Sequence, residues 1–335
     1  MTIKDLSAQT GYSVGTISRV LNNQPNVSEK ARTVIQKAAE ESGFQLNQNA
    51  KQLKQQHGNC ILVVVKGTNN ELFSNLVEAI QARIARTTYP LIVDYMDEAE
   101  NEVRRAVQLA LEKKPLGILF LGGNRDHFLA DFARIQVPCV LITNDASDLP
   151  FPNLSSVSSD NIQAAKMAID HLAALGHKHI AVIGGPRTFS DTTAQRYQGC
   201  TDAFREHGIP FDEDLDYATV RFSFAGGYTG AKRLLERDRE FTALFAMSDV
   251  MAIGAIRALE DAGKRVPQDV SVVGFDGLLI GEYTVPRLTT ICQAVDQLAE
   301  RSVKLLQESI EGNHRASYDT VPVTLKLKDS ARKVE

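Results

Sequence analysis

Over the first 45 residues apolar positions recur every three or four places, the spacing that gives a helix one buried stripe. Ile3–Thr10 is one such stretch, ending at Gly11. Ser13–Leu21 is the next, with Ser13 placed to cap its start and Asn22-Asn23 to break it. Ser28 caps a third, longer stretch through Glu41, stopped by Gly43 at a left-handed C-cap position. Leu6, Val14, Ile17, Val20, Leu21, Val34 and Ile35 suffice for one very small core. Two helices joined by a turn containing Gly11, with a third packed across them, form a helix-turn-helix.

Between residues 46 and 57 the pattern lapses. Only Leu46, Ala50 and Leu53 interrupt a Gln/Asn/Lys-rich run, and a segment this short is a marginal helix in water. It reads as a linker whose route to order is folding on a partner. From Cys60 onward short apolar runs alternate with amphipathic stretches. Strands are expected at Ile61–Val65, Leu91–Asp94, Gly117–Leu121, Cys139–Ile142, His179–Ile183, Ala243–Ala246 and Val270–Phe275. Between them lie helices at Leu72–Arg86, Glu98–Glu112, Asn161–Leu175, Ala194–His207, Ala225–Leu235, Val250–Ala262 and Val295–Glu311. Such alternation means α/β architecture: two doubly wound parallel-sheet lobes, with ligands in the crevice beyond the strands' carboxyl ends. The expected division is a head at 1–45, a hinge at 46–57 and a core at 58–335. Within the core, lobe 1 takes about 58–157 and 288–316, and lobe 2 about 158–287 and 317–330.

The length of 335 residues agrees with several domains, since one core rarely grows so large. The net charge of −4 speaks against nucleic acid until it is divided along the chain. Residues 1–57 carry seven Lys/Arg against four acids, which leaves the excess of negative charge on the remainder. Cys60, Cys139, Cys200 and Cys292 are far apart, without a C-x-x-C pair, and read as buried free thiols. The histidines are scattered. His177 and His179, flanking Lys178, read as a surface strand edge, so no metal site is expected. Gly226-Gly227-Tyr-Thr-Gly230 lacks the ending and spacing of a phosphate loop, and H-E-x-x-H does not occur. There is no G-x-S-x-G elbow, since Gly11-Tyr12-Ser13-Val14-Gly15 falls between two helices of the head rather than between a strand and a helix. No catalytic residue and no cofactor is expected. The amino terminus shows no secretory pattern and Cys60–Val65 is too short to span a bilayer, so a cytoplasmic protein without membrane contact is expected.

The runs Thr2-Ile3-Lys4-Asp5-Leu6, Val14-Gly15-Thr16-Ile17-Ser18-Arg19-Val20-Leu21-Asn22 and Val27-Ser28 resemble the start of LacI/GalR transcription regulators. The resemblance implies that the second helix enters the major groove of operator DNA. Val14 and Gly15 fall at base-discriminating positions and Arg19 at a base-contacting arginine. Ser13, Thr16, Ser18, Asn22 and Ser28 match positions that touch phosphate, and Thr2, opening the matching stretch, joins the DNA contacts. Gly15 departs from the pattern because it has no side chain to read a base edge. The segment Phe44–Leu53 resembles the family's hinge, in which Leu53 would wedge between base pairs of the minor groove with Ala50 beside it. Leu46 stands where Pro is usual and Lys51 where Arg is usual.

Three runs, His171–Gly185, Ser248–Ala255 and Val266–Asp276, with Pro286–Ile291, are similar to the family's sensor core, a relative of periplasmic sugar-binding proteins. By that resemblance Arg196, Asp276, Phe222, Asp160, Ser248, Leu72 and Phe73 bind the effector. A sugar needs such carboxylates, an Arg and an aromatic face. Ser248 stands where Asn is common, and Asn70-Glu71-Leu72-Phe73 replaces Asn-Pro-Phe-Phe. Asp249 reads as the N-cap of the helix Val250–Ala262. The family implies a homodimeric repressor on a pseudo-palindromic double-stranded operator, released or recruited by a small-molecule effector of carbohydrate type. The carboxy-terminal stretch from Lys326 carries no leucine heptads, which favours a dimer over a tetramer. Two rivals remain on the residues alone. A sugar-binding protein without DNA function would keep its activity after loss of residues 1–57, and a nucleotide-dependent enzyme would need the missing phosphate loop or catalytic dyad.

Overall fold

The computed structural model describes residues 3–21, 27–42, 58–68, 70–188, 191–312 and 315–334. Thr2, Asn22, Gly43 and the hinge segment with Ala50 and Leu53 lie outside the described residues. The chain divides into two compact units, residues 1–56 and 57–335.

The first unit contains α1 (Ile3–Thr10), α2 (Val14–Leu21) and α3 (Glu29–Glu41). Gly11 turns the chain between α1 and α2 with φ +73°, a conformation that costs glycine nothing. Ser13 Oγ accepts from the Thr16 amide at 3.2 Å and Ser28 Oγ from the Ala31 amide at 3.4 Å, so both expected caps form. Leu6, Ile17, Val20 and Ile35 are fully buried, joined by Ala31, Ala38 and Ala39. Val34, expected in this core, is 40% exposed, and the small alanines of α3 fill the space instead.

The second unit holds β1 (Ile61–Lys66), α4 (Glu71–Ile84), β2 (Leu91–Met96), α5 (Glu102–Lys113), β3 (Gly117–Leu121), α6 (Arg125–Asp131), β4 (Cys139–Ile142) and β5 (Leu154–Ser159). It continues with α7 (Asn161–Ala174), β6 (Ile180–Gly184), α8 (Asp191–Glu206), α9 (Glu213–Asp216), β7 (Tyr217–Thr219), α10 (Phe224–Leu235), β8 (Ala243–Ala246), α11 (Asp249–Asp261) and β9 (Ser271–Asp276). The last elements are β10 (Thr289–Gln293), α12 (Val295–Ile310), β11 (Tyr318–Val321) and β12 (Val323–Lys326).

Two six-stranded sheets result, β11-β5-β4-β3-β1-β2 and β12-β10-β9-β8-β6-β7, parallel except where β12 runs against β10. The central strands are buried on both faces, as helices packed on either side require.

The lobe boundaries shift from those expected. Strand β10 pairs with β9, so residues 289–293 belong to the second lobe, and β11 pairs with β5, so 318–321 belong to the first. Strand β5, Leu-Ser-Ser-Val-Ser-Ser, is buried throughout although it has no apolar run. Its hydroxyls find hydrogen-bond partners in the interior: Ser155 Oγ accepts from the Ser317 amide at 3.1 Å, Ser156 Oγ from the Ala146 amide at 3.0 Å, and Ser159 Oγ donates to Gln293 Oε1 at 3.2 Å. His177 is buried rather than on a surface edge, its ring nitrogens meeting Thr242 Oγ1 at 2.9 Å and the Arg332 carbonyl at 3.1 Å. Of the four thiols, Cys60, Cys139 and Cys200 are buried and Cys292 half-buried.

Helices α10 and α11 approach backbone to backbone through Gly227 and Gly254. A Cβ at Gly254 would stand 2.0 Å from the Phe224 carbonyl oxygen, and one at Gly227 2.0 Å from that of Met251. Gly254→Ala should therefore force the helices apart and cost on the order of 3 kcal/mol in denaturant unfolding of the core. Gly15→Ala, at an exposed helical site of the head unit with room for a methyl, should not lower the core's midpoint and serves as the control. An unchanged midpoint for Gly254→Ala would show that the two helices are not in backbone contact.

Candidate functional site

In α2 the alternation that buries Ile17 and Val20 turns Ser13, Gly15 and Arg19 outward, with Thr16 half-buried beside them. Arg19 and Gly15 thus share one exposed surface with the capping Ser13, while Ser28 is exposed at the start of α3. The side chains of Val14 and Ser18 lie outside the described residues. A short helix with an open polar face and an arginine in its last turn has the shape that a major groove admits.

In the second unit the carboxyl ends of both sheets face one cleft of about 270 Å³. The first lobe contributes Lys66 at the end of β1, Leu72 and Phe73 on α4, Asp97 and Glu98 after β2, and Gly122 after β3. The second contributes Thr193 and Arg196 on α8, Arg221 and Phe222 after β7, and Asp276 at the end of β9. Of the residues expected to bind an effector, the cleft gathers Leu72, Phe73, Arg196, Phe222 and Asp276. Asp160 and Ser248 stand outside its lining because each caps a helix: Asp160 Oδ1 accepts from the Gln163 amide at 3.0 Å, and Ser248 Oγ from the Met251 amide at 3.3 Å. That also corrects the cap expected at Asp249. With Ser248 capping α11, Asp249 turns inward and accepts from the Leu278 amide at 2.6 Å and Thr290 Oγ1 at 2.5 Å.

Arg196 is 5% exposed. Its Nε donates to Asn161 Oδ1 at 2.9 Å and its Nη1 to the Met247 carbonyl at 2.6 Å, while the guanidinium lies 3.7 Å over the Phe275 ring. Burial lowers its pKa to about 10, opposed by the negative charge of Asp276, so it stays a cation at neutral pH. Asp276 is pushed up to about 6 by burial, against the pull of Arg196 and the Gln293 amide. Its φ of +117° is rare for a residue with a side chain, and such strain concentrates at binding sites.

Asp249 rises to about 8, chiefly from burial and then from the charge of Asp276. Opposite them Glu102, fully buried, holds Lys66 Nζ, the Asn124 amide at 2.7 Å and His127 Nδ1 at 2.9 Å. The lobes meet at the rim: Arg221 Nε lies 3.2 Å from Glu98 Oε1, Asn124 Nδ2 donates to the Thr188 carbonyl at 3.2 Å, and the Arg125 amide to Asp191 Oδ2 at 3.0 Å. Lys66, Asp97, Glu98 and Arg221 escaped the sequence reading. Their only signal was position, since each lies at or after the carboxyl end of a strand. Among the described residues no cluster of His, Cys, Asp or Glu is placed to hold a metal.

Comparison with known proteins agrees with both halves of this arrangement. Residues 2–47 match bacterial regulatory proteins of the lacI family, and residues 169–331 match a periplasmic binding protein-like domain. The chain is 33% identical to the HTH-type transcriptional regulator MalR of Clostridium butyricum, over 98% of this chain and 99% of that protein. It is 30% identical to the HTH-type transcriptional repressor CytR of Escherichia coli strain K12, over 94% of this chain and 92% of that one. The lac repressor dimer bound to operator and the anti-inducer ONPF superposes with a TM-score of 0.80 at 25% identity, covering 99% of both chains. The regulator CelR in complex with cellobiose does so at 0.70 and 25%, covering 98% of this chain and 99% of the other. A DNA-reading head before a two-lobed binding core defines a DNA-binding transcription regulator. The chain belongs to the LacI family of such regulators.

The two buried carboxyls make stability depend on pH. A carboxyl whose folded pKa lies above its unfolded value binds protons more tightly when folded, so it favours folding at low pH. That contribution is lost as pH rises toward about 6 for Asp276 and about 8 for Asp249. The melting temperature of the core should fall between about pH 5 and pH 8, and Asp249→Asn should flatten that slope. Parallel slopes for the two proteins would mean that Asp249 is ionised throughout.

Proposed function

We propose that this regulator is a homodimeric repressor working in the cytoplasm, whose grip on a pseudo-palindromic operator is set by a carbohydrate effector held between the lobes. The observation that carries this reading is the convergence of Arg196, Asp276 and Phe222 on a cleft at the carboxyl ends of both sheets. A guanidinium and a carboxylate serve the hydroxyls of a sugar, and the rings of Phe222 and Phe73 its apolar face. The likeness to the cellobiose-bound regulator and to a regulator from Enterococcus faecium with bound ribose supports a sugar as the ligand class. Arg19 reads base edges in the major groove. Ser13, Thr16, Ser18 and Ser28, with Thr2 and Asn22, hold phosphates, and Val14 packs against the base edge beside Gly15. Leu53 with Ala50 opens the minor groove between the half-sites. The likeness to the operator-bound lac repressor dimer supports this head and the two-fold assembly.

Two experiments test the reading. Selection of bound duplexes from random DNA should return a palindromic site. On that site Arg19→Ala should lose about 1–3 kcal/mol and relax preference at one base pair. Equal weakening on all sequences would reduce Arg19 to a phosphate contact. A thermal-shift screen with D-ribose, D-glucose, maltose, cellobiose, sugar phosphates and nucleosides should find a ligand that raises the melting temperature, and Arg196→Met should abolish the shift. A shift that survives in Arg196→Met would place the ligand elsewhere.

A further inference from the structure

Three connections cross between the lobes: after Ser159, after Gln293, and at Pro322 between β11 and β12. One residue meets all three. Gln293 ends β10 immediately before its own crossing and is the register partner of Val323, the first residue after the third. It is 7% exposed. Its Nε2 donates to Asp276 Oδ1 at 2.9 Å, and its Oε1 accepts from Ser159 Oγ, at the first crossing, at 3.2 Å. An ionised carboxylate only accepts, so the amide has one orientation here: nitrogen toward Asp276, oxygen toward Ser159. The second cleft charge reaches the same crossing. Arg196 Nε donates to Asn161 Oδ1 at 2.9 Å, and Asn161 Nδ2 to the Ser159 carbonyl at 3.1 Å.

We propose that Gln293 is a positioning residue that transmits occupancy of the cleft to the lobe crossings, a role resting on the effector reading above. A ligand hydroxyl that engages Asp276 alters the hold of this carboxylate on Nε2. The rigid amide passes that change to Ser159, where the chain leaves the first sheet for α7. A side chain with a donor at one end and an acceptor at the other is required. Leucine of similar size offers neither, and glutamate replaces the donor with a second carboxylate facing Asp276.

Hydrogen–deuterium exchange on the purified full-length chain tests the relay. Ser159→Ala removes one hydroxyl two hydrogen bonds away from Asp276. Without ligand it should speed exchange across residues 274–278 by at least about threefold and leave β8 unchanged. Gln293→Leu should speed both 274–278 and 157–161; if that variant fails to fold, Ser159→Ala decides alone. A Ser159→Ala effect confined to 157–163 overturns the proposal. In the wild type, whichever of D-ribose, D-glucose, maltose or cellobiose slows exchange at 274–278 should also slow it at 157–161, and in Ser159→Ala only at 274–278. A sugar that slows both segments equally in Ser159→Ala overturns the relay as well. If none slows either segment in the wild type, the sugar reading of the cleft falls, while the ligand-free comparison still judges the relay.

Discussion

A charged guanidinium almost wholly out of water sits at the centre of this molecule, and the second lobe is arranged to make it tolerable. An unpaired buried cation is strongly unfavourable, so Arg196 has to find acceptors wherever the backbone places it. It finds them at the start of α7, in Asn161, and at the end of β8, in the Met247 carbonyl, with the Phe275 ring beneath. All these groups lie at or beside the carboxyl ends of the strands. The requirement therefore fixes the floor of the cleft and the approach of α8 to the sheet. Asp276, opposite in sign and held at an uncommon backbone angle, completes a site preorganised for a polar ligand.

Val250 and Leu278 of the second lobe are buried against the first lobe's apolar core, whereas the ion pair at the rim is weak by comparison. The pair of Arg221 with Glu98 is open to solvent, with the arginine side chain 68% exposed, and exposed pairs of this kind contribute about 0–1 kcal/mol. This pair therefore adds little to holding the lobes at one angle. Regulation then requires only that the ligand bind one angle better than another, by the difference it is to impose on operator affinity.

Much of this was legible in the amino-acid pattern. The three head helices announced themselves by the spacing of Leu6, Ile17, Val20 and Ile35 and by the caps at Ser13 and Ser28. The parallel strands stood out as continuous apolar runs because helices cover both their faces. What stayed hidden had a different physical cause in each case. Strand β5 is buried yet serine-rich, its hydroxyls bonded to groups distant in sequence, so no hydrophobicity pattern marks it. Strands β10 and β11 each stand just before a crossing between the lobes, and β11 joins its sheet only by pairing with β5 across more than a hundred residues. The purpose of Gly227, backbone contact between α10 and α11, lies in tertiary structure alone.

In the cleft, Arg196 and Asp276 stood out by resemblance, whereas Lys66, Glu98 and Arg221 had only their place at or after strand ends to mark them. Asp160 and Ser248, suggested for ligand contact by family position, stand outside the lining of the cleft, with Asp160 Oδ1 and Ser248 Oγ each accepting from a helix amide.

The decisive quantity is the affinity of the full-length protein for its selected operator, measured with and without a sugar whose binding is lost in Arg196→Met. If the cleft governs the head, saturating sugar changes that affinity by at least about tenfold, a coupling of roughly 1.4 kcal/mol. A sugar that occupies the cleft and leaves operator affinity unchanged would contradict this.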